Sequence, residues 1–224
     1  MSVPVLRCVA PEIPDGTFAE DARLEPSFFQ RQTLTVAKDL LGKWFVRSVG
    51  DEILAGRIVE VEAYRQHGDE AAHTYGGKTK RNEVMFRDGG YLYVYFTYGM
   101  HFCMNVVTEK QDTGAAVLIR AIEPVLGIEQ MHSNRGGKCK LRELTSGPAR
   151  CCQAFGIQRE QNGLSLADGE LGLYDAPRIP AKHIEATTRI GIKKSVELPW
   201  RFVVRDNYFL SRQAGKNTLS LQLI

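Results

Sequence analysis

Tyr91-Leu92-Tyr93-Val94-Tyr95-Phe96-Thr97-Tyr98-Gly99-Met100-His101-Phe102-Cys103-Met104-Asn105 decides how the rest of the chain is read. Tyr91, Tyr93 and Tyr95 alternate with Leu92, Val94 and Phe96. A period of two in aromatic and β-branched residues predicts a strand, with the tyrosines on one face and the apolar residues on the other. Gly99 breaks the run and leaves Tyr98 at a turn. Turns favour small polar residues, so a tyrosine there either closes a core or is presented to something flat.

Toward the N-terminus, Ile53–Tyr64 predicts a second strand, preceded by a strand over Lys43–Val49 and a turn at Gly50-Asp51-Glu52. Period two puts Glu60, Glu62 and Tyr64 on one face, and Arg57, Val59, Val61 and Ala63 on the other. Carboxylates two residues apart on a strand lie about 7 Å from each other. That face either meets solvent or lines a pocket in which one partly buried carboxylate serves as a general base. A helix is expected after Pro26 and another across Thr35–Leu41, with Leu34, Ala37 and Leu41 inward and Gly42 at its end. Met1–Glu25 carries prolines and little periodicity and reads as an arm. Residues 26–224 read as one domain.

Between the two strands lies a long loop, Arg65–Gly90, holding His67, His73 and the basic run Lys78-Thr79-Lys80-Arg81-Asn82. A loop of that length in a compact domain is usually functional, and its cations can meet phosphates. His67, His73 and His101 raise a metal site as a rival, but their spacing fits no helical zinc pattern. Beyond the aromatic strand, Val106–Thr113 reads as a turn and Ala115–Ala121 as a buried strand containing Arg120, which needs a carboxylate or an anion as partner, Glu62 being one candidate and a strand-end salt bridge the plainer reading. Pro124–Met131 reads as helix. A second basic loop, Asn134–Arg142, leads to Thr145-Ser146-Gly147-Pro148, a hydroxyl cap and first-turn proline that suit a phosphate held by Ser146 and Arg150. Gly169–Tyr174 suggests a hairpin arm, Thr187–Ile192 a tight segment, Trp200–Arg205 a last strand and Arg212–Ile224 a polar tail.

Composition narrows the class. The 224 residues are 43% hydrophobic and 25% charged, which suits an ordinary globular core. The absence of an apolar run of about eighteen residues argues against a membrane span, and Met1-Ser2-Val3-Pro4 lacks the start of a signal peptide. Five cysteines at irregular spacing read as reduced thiols in a cytosolic compartment. A net charge of +3 with a pI near 8.6 permits nucleic acid without requiring it.

Six ordered blocks, Glu60-Val61-Glu62-Ala63-Tyr64, Asp69-Glu70-Ala71-Ala72-His73, Tyr93–Asn105, Val117–Pro124, Thr145-Ser146-Gly147-Pro148 and Arg189-Ile190-Gly191-Ile192, together resemble the alkyladenine (3-methyladenine) DNA glycosylase family. The resemblance runs from about Pro26 to about Ser211. It implies an α+β fold: a single mixed domain with a curved antiparallel β-sheet flanked by helices, like the C-terminal domain of formyltransferases. It also implies a monomeric, monofunctional enzyme without metal or cofactor, acting on damaged purines in double-stranded DNA. That enzyme would be cytoplasmic and nucleoid-associated in a bacterium, or nuclear in a eukaryote. By position, Glu62 resembles the carboxylate that activates water, and Arg120 the arginine that holds it. Tyr64, His73 and Tyr95 resemble the walls around the extruded base, Asn105 the residue that crowds a guanine amino group, and Tyr98 the wedge. Lys78, Lys80, Arg81, Ser146 and Arg150 are the expected backbone contacts. No lysine is expected beside Glu62 as a Schiff-base nucleophile. A non-catalytic nucleic-acid-binding module on the same fold is the alternative.

Overall fold

A computed structural model describes residues 18–97 and 99–213. Tyr98, the greater part of the expected arm and residues 214–224 of the expected tail lie outside the described residues. What is described is a mixed domain of one eight-stranded antiparallel sheet with four α-helices.

The sheet is built around one long strand. The strand expected over Ile53–Tyr64 is β2, which spans Glu52–Arg65; Trp44–Val49 forms β1 ahead of it. Leu92–Thr97 is β3, His101–Thr108 is β4, Ala115–Leu126 is β5, Leu171–Tyr174 is β6, Ile184–Thr187 is β7 and Arg201–Val204 is β8. The order is β3-β4-β5-β2-β1-β6, and β8 joins β2 while pairing with β7. The first half of β2 pairs with β1 and the second half, Glu60–Glu62, with β8. β5 runs along its other side. Glu60 and Glu62 are both fully buried, beneath Tyr64, Ile190, Arg201 and Ser211, and the solvent-facing reading of that side of the strand does not hold.

Strict alternation along β2 also fails at one place. Pairing with β5 steps from Ile58 to Glu60 and from Ala121 to Ile119, so Val59 and Arg120 are extra residues in bulges that cancel each other's slip. Bulges re-aim side chains. Ile58 and Val59 both enter the main core, whereas Arg57 lies over the Trp44 ring at 4.8 Å in a separate cluster with Ala55 and Tyr174. The grouping of Arg57 with Val59, Val61 and Ala63 is thereby corrected.

Helices cover one face. Pro26–Phe29 is α1, Thr33–Leu40 is α2, Ile128–Asn134 is α3 and Pro148–Ala154 is α4. Val36, Ala37 and Leu40 of α2 and Cys151, Cys152 and Ala154 of α4 pack on Val61, Ala63 and Ile119 of the sheet, while Leu34 is half-buried. Gly42 follows α2 with φ +83, the left-handed conformation that ends a helix at little cost for glycine. The opposite sheet face is covered by the 65–90 loop, where Val84 and Met85 of a 3₁₀ turn pack on Tyr93, Val107 and Ala116.

Several expected boundaries move. Val106–Thr108 belongs to β4, because its partner Ala115–Val117 supplies the ladder. β5 continues through Pro124 to Leu126, and the helix starts only at Ile128. Pro124 sits beside a bulge, where a proline within a strand is tolerated. Gly169–Tyr174 is no hairpin: β6 pairs with β1 at the sheet edge. Residues 18–25 lie along that edge, with Phe18 edge-on to Trp44 and Leu24 N–H donating to the Leu173 carbonyl. At α4 the cap is Gly147, not a hydroxyl residue. Thr145 Oγ1 donates to the Ile122 carbonyl, and Ser146 Oγ accepts from Arg150. Among the described residues no helix is long and apolar enough to cross a membrane.

Candidate active site

The face of β2 opposite the helices carries two carboxylates with different surroundings. Glu62 accepts from Tyr64 Oη (2.8 Å) and Arg120 Nη1 (3.2 Å) at Oε2, and from the Ile190 backbone N–H (2.7 Å) at Oε1. Glu60 accepts from Arg120 Nε (3.1 Å), Arg201 Nε (2.8 Å) and Ser211 Oγ (2.7 Å) at Oε1, and from Ser211 N–H (2.6 Å) at Oε2. A carboxylate offers roughly four acceptor sites. Four donors meet Glu60, three of them at Oε1 and one at Oε2, and three meet Glu62, two at Oε2 and one at Oε1.

Above Glu62 opens a cavity of about 540 Å³. All three residues that donate to Glu62, namely Tyr64, Arg120 and Ile190, line it. Of the residues that donate to Glu60, only Arg120 does. The two carboxylates and two guanidiniums form a buried, charge-balanced cluster. Burial works against the Arg120 charge, but Glu62 and Glu60 outweigh it and push its pKa up.

Aromatic walls come from β2, β3 and the long loop. The Tyr93 and Tyr95 rings stack at 5.6 Å, and His73 meets Tyr95 edge-on at 4.5 Å. His73 Nδ1 is 3.2 Å from Tyr93 Oη. Its imidazole, open on the cavity side, titrates below the usual range because of burial and then Arg81. Burial, then the Glu62 charge, drives the Tyr64 phenol well up; burial, then Cys103, does the same for Tyr95, so both are neutral donors at neutral pH. Asn105 sits in the lining with its Nδ2 donating to the Tyr93 carbonyl at 3.2 Å.

The structure thus brings Arg120, Tyr64, His73, Tyr95 and Asn105 together around one space, while Glu62, fully buried, does not itself line it and meets it through Tyr64, Arg120 and Ile190. Arg81, expected among the backbone contacts, also lines the cavity, with Nη2 3.5 Å from the Phe96 carbonyl. Lys78 and Lys80 are exposed on the loop beyond it, Lys78 being 3.9 Å from Asp112. Ser146 is buried and bonded to Arg150, next to Pro148 at the cavity edge. Tyr98 lies outside the described residues; its neighbours Phe96 and Met100 are exposed at the β3–β4 turn.

Sequence reasoning assigned no role to the segment that closes the site. The Arg189 guanidinium is fully buried and binds Asp69 through both terminal nitrogens, at 2.6 and 2.7 Å, and lies over the Tyr64 ring at 4.6 Å. This clamp presents the Ile190 N–H to Glu62. The signal was available, since Asp69 and Arg189 both stand in the quoted blocks. Lys193 and Lys194 also line the mouth, Lys194 paired with Glu70 at 3.0 Å, so lysines do stand near the site. Among the described residues no group of three His, Cys, Asp or Glu side chains could hold a metal ion. Cys103, Cys139, Cys151 and Cys152 are free thiols; Cys8 lies outside the described residues.

The chain is similar to known proteins over most of its length. A family model described as methylpurine-DNA glycosylase matches residues 27–208. A protein of Carboxydothermus hydrogenoformans is 49% identical over 192 residues, covering 85% of this chain and 99% of its own. One from Methanoculleus marisnigri is 48% identical, covering 85% and 99%, and one from Chlorobium phaeovibrioides is 48% identical, covering 85% and 97%. Each carries the name of a provisionally assigned 3-methyladenine DNA glycosylase. The chain belongs to the methylpurine-DNA glycosylase family.

Proposed function

We propose that this chain is a monofunctional DNA glycosylase, acting as a monomer and without metal, that starts base excision repair of damaged purines in duplex DNA. The candidate substrates are 3-methyladenine, 7-methylguanine, hypoxanthine and ethenoadenine. The observation that carries the reading is the donor set of Glu62: every residue that donates to this buried carboxylate also lines the cavity.

A purine inside a duplex is out of reach, so the nucleotide must swing out, at an unstacking cost of a few kcal/mol. Tyr98, which falls in sequence between β3 and β4, is the proposed wedge that fills the gap, recovering on the order of 1–3 kcal/mol by stacking. The purine then lies among Tyr64, His73 and Tyr95. Asn105 excludes a guanine amino group. As the bond from C1′ to the base breaks, its electron pair leaves with the base and positive charge develops on the sugar. Ionised Glu62 stabilises that charge and takes a proton from the water that attacks C1′. A cationic base such as 7-methylguanine leaves unaided, whereas neutral hypoxanthine needs protonation. Glu60, occupied by four donors, holds Arg120 rather than the water. Lys78, Lys80, Arg81 and the Ser146–Arg150 pair are the proposed backbone contacts, which orient DNA without reading its sequence.

The test uses duplex oligonucleotides with one hypoxanthine, ethenoadenine or 7-methylguanine, incubated without added metal and then treated with alkali. Strand breakage at the lesion is expected with the wild type. Glu62→Gln should lower the rate by roughly 10²–10⁴-fold, the range for a general base. Binding of lesion DNA without breakage on any of these substrates would instead make the chain a binding module.

A further inference from the structure

The structure assigns Arg201 and Ser211 as positioning residues for the glycosylase reaction, acting through Glu60 on Arg120; this rests on the proposed function. Arg120 is the extra residue of the β5 bulge, so its backbone pairing does not fix its side chain. Its direction comes from two carboxylates, with Nε on Glu60 and Nη1 on Glu62. The guanidinium is a rigid planar fork, so a turn at Nε moves Nη1 as well. The placement of Glu60 is therefore transmitted to the Glu62 end of the fork.

Glu60 is held from outside the cavity. Arg201 reaches it from β8, and Ser211 caps it with both Oγ and its backbone N–H. Ser211 Oγ is also 3.5 Å from Arg120 Nη2. Arg201 Nη2 in turn donates to the Arg212 carbonyl, tying the chain after β8 over the cluster. Ser211 and Arg212 lie beyond residues 27–208 of the family match. The strap that completes the charge cluster is thus a segment past the matched core. Neither Arg201 nor Ser211 lines the cavity, so neither has a route to the base or to the water except through Glu60 and Arg120.

Single-turnover excision of hypoxanthine, DNA affinity at fixed salt and thermal midpoint are measured for wild type, Ser211→Ala, Ser211→Thr and Arg201→Lys. Ser211→Ala should lower the excision rate about tenfold, within the roughly 10²-fold that a misplacement of about 1 Å can cause. Its DNA affinity should stay within about twofold, since the phosphate contacts are untouched. Ser211→Thr, which keeps the hydroxyl, should restore the rate. Arg201→Lys, which lacks the fork, should fall further if it folds; Ser211→Ala carries the test if it does not. A wild type that excises while Ser211→Ala matches its rate overturns the assignment alone. So does a rate loss explained by weaker DNA binding or by unfolding at the assay temperature. A wild type that excises none of the lesions overturns the glycosylase reading and this assignment with it.

Discussion

Tyr64 combines two roles that usually fall to different residues. Its ring walls the cavity beneath the Arg189 guanidinium, and its hydroxyl donates to Glu62. Burial and the Glu62 charge keep the phenol protonated, so the donor survives at alkaline pH. Tyr64→Phe separates the roles. The wall remains, and Glu62 loses one of three donors. Hydrogen bonds to charged groups contribute about 1.5–3 kcal/mol, so a fall of about 10- to 100-fold in single-turnover excision is expected. Affinity for lesion DNA should change little. A loss confined to affinity would show that the hydroxyl serves the base and not the carboxylate. Arg189 and Asp69 act one step further out. They carry no chemistry, yet they set where the Ile190 N–H meets Glu62.

At the scale of elements, the β2–β5 pair makes the site. Its opposed bulges let Val59 join the core while Arg120 turns to the carboxylates. A third slip lies at Ala55/Gly56. A Cβ on Gly56 would land on the Ile122 side chain and 2.5 Å from the Glu123 carbonyl oxygen, where backbone must shift. Gly56→Ala should therefore cost roughly 1–3 kcal/mol, as overpacking does. For a chain of this size that is a drop of several degrees in Tm. Because the strain enters the strand pair that aims Arg120, excision at low temperature should fall too. A variant with wild-type Tm would mean that the strands separate there at no cost.

The molecule as a whole carries a net charge of +3, which permits the proposed phosphate contacts. Lys78 and Lys80 are exposed on the 65–90 loop, and Lys193 and Lys194 line the cavity. Binding that neutralises about four to six phosphates should weaken by about 10²–10³-fold between 50 and 200 mM salt, with log K linear in log salt. A fluorescence-anisotropy titration reads this directly, and a flat dependence would remove the phosphate contacts from the proposed function. Base excision at saturating protein should be far less sensitive to salt, because the Glu60–Glu62–Arg120–Arg201 cluster is buried and hardly screened.

The sequence by itself determined the long strands, the shared direction of Glu62 and Tyr64, the tyrosine wall and the order of the family blocks. These follow from period two and local spacing, which fix where a side chain points before any neighbour is known. Period two alone did not separate the two carboxylates; the family resemblance is what singled out Glu62. Glu60 and Glu62 look alike in a strand; they differ in donors that arrive from Ile190, Arg201 and Ser211, more than a hundred residues away. Nor did the sequence locate the bulges, the continuation of β5 through Pro124 or the sheet-edge place of β6. Register, bulges and edges depend on the partner strand, and a partner exists only once the chain has folded.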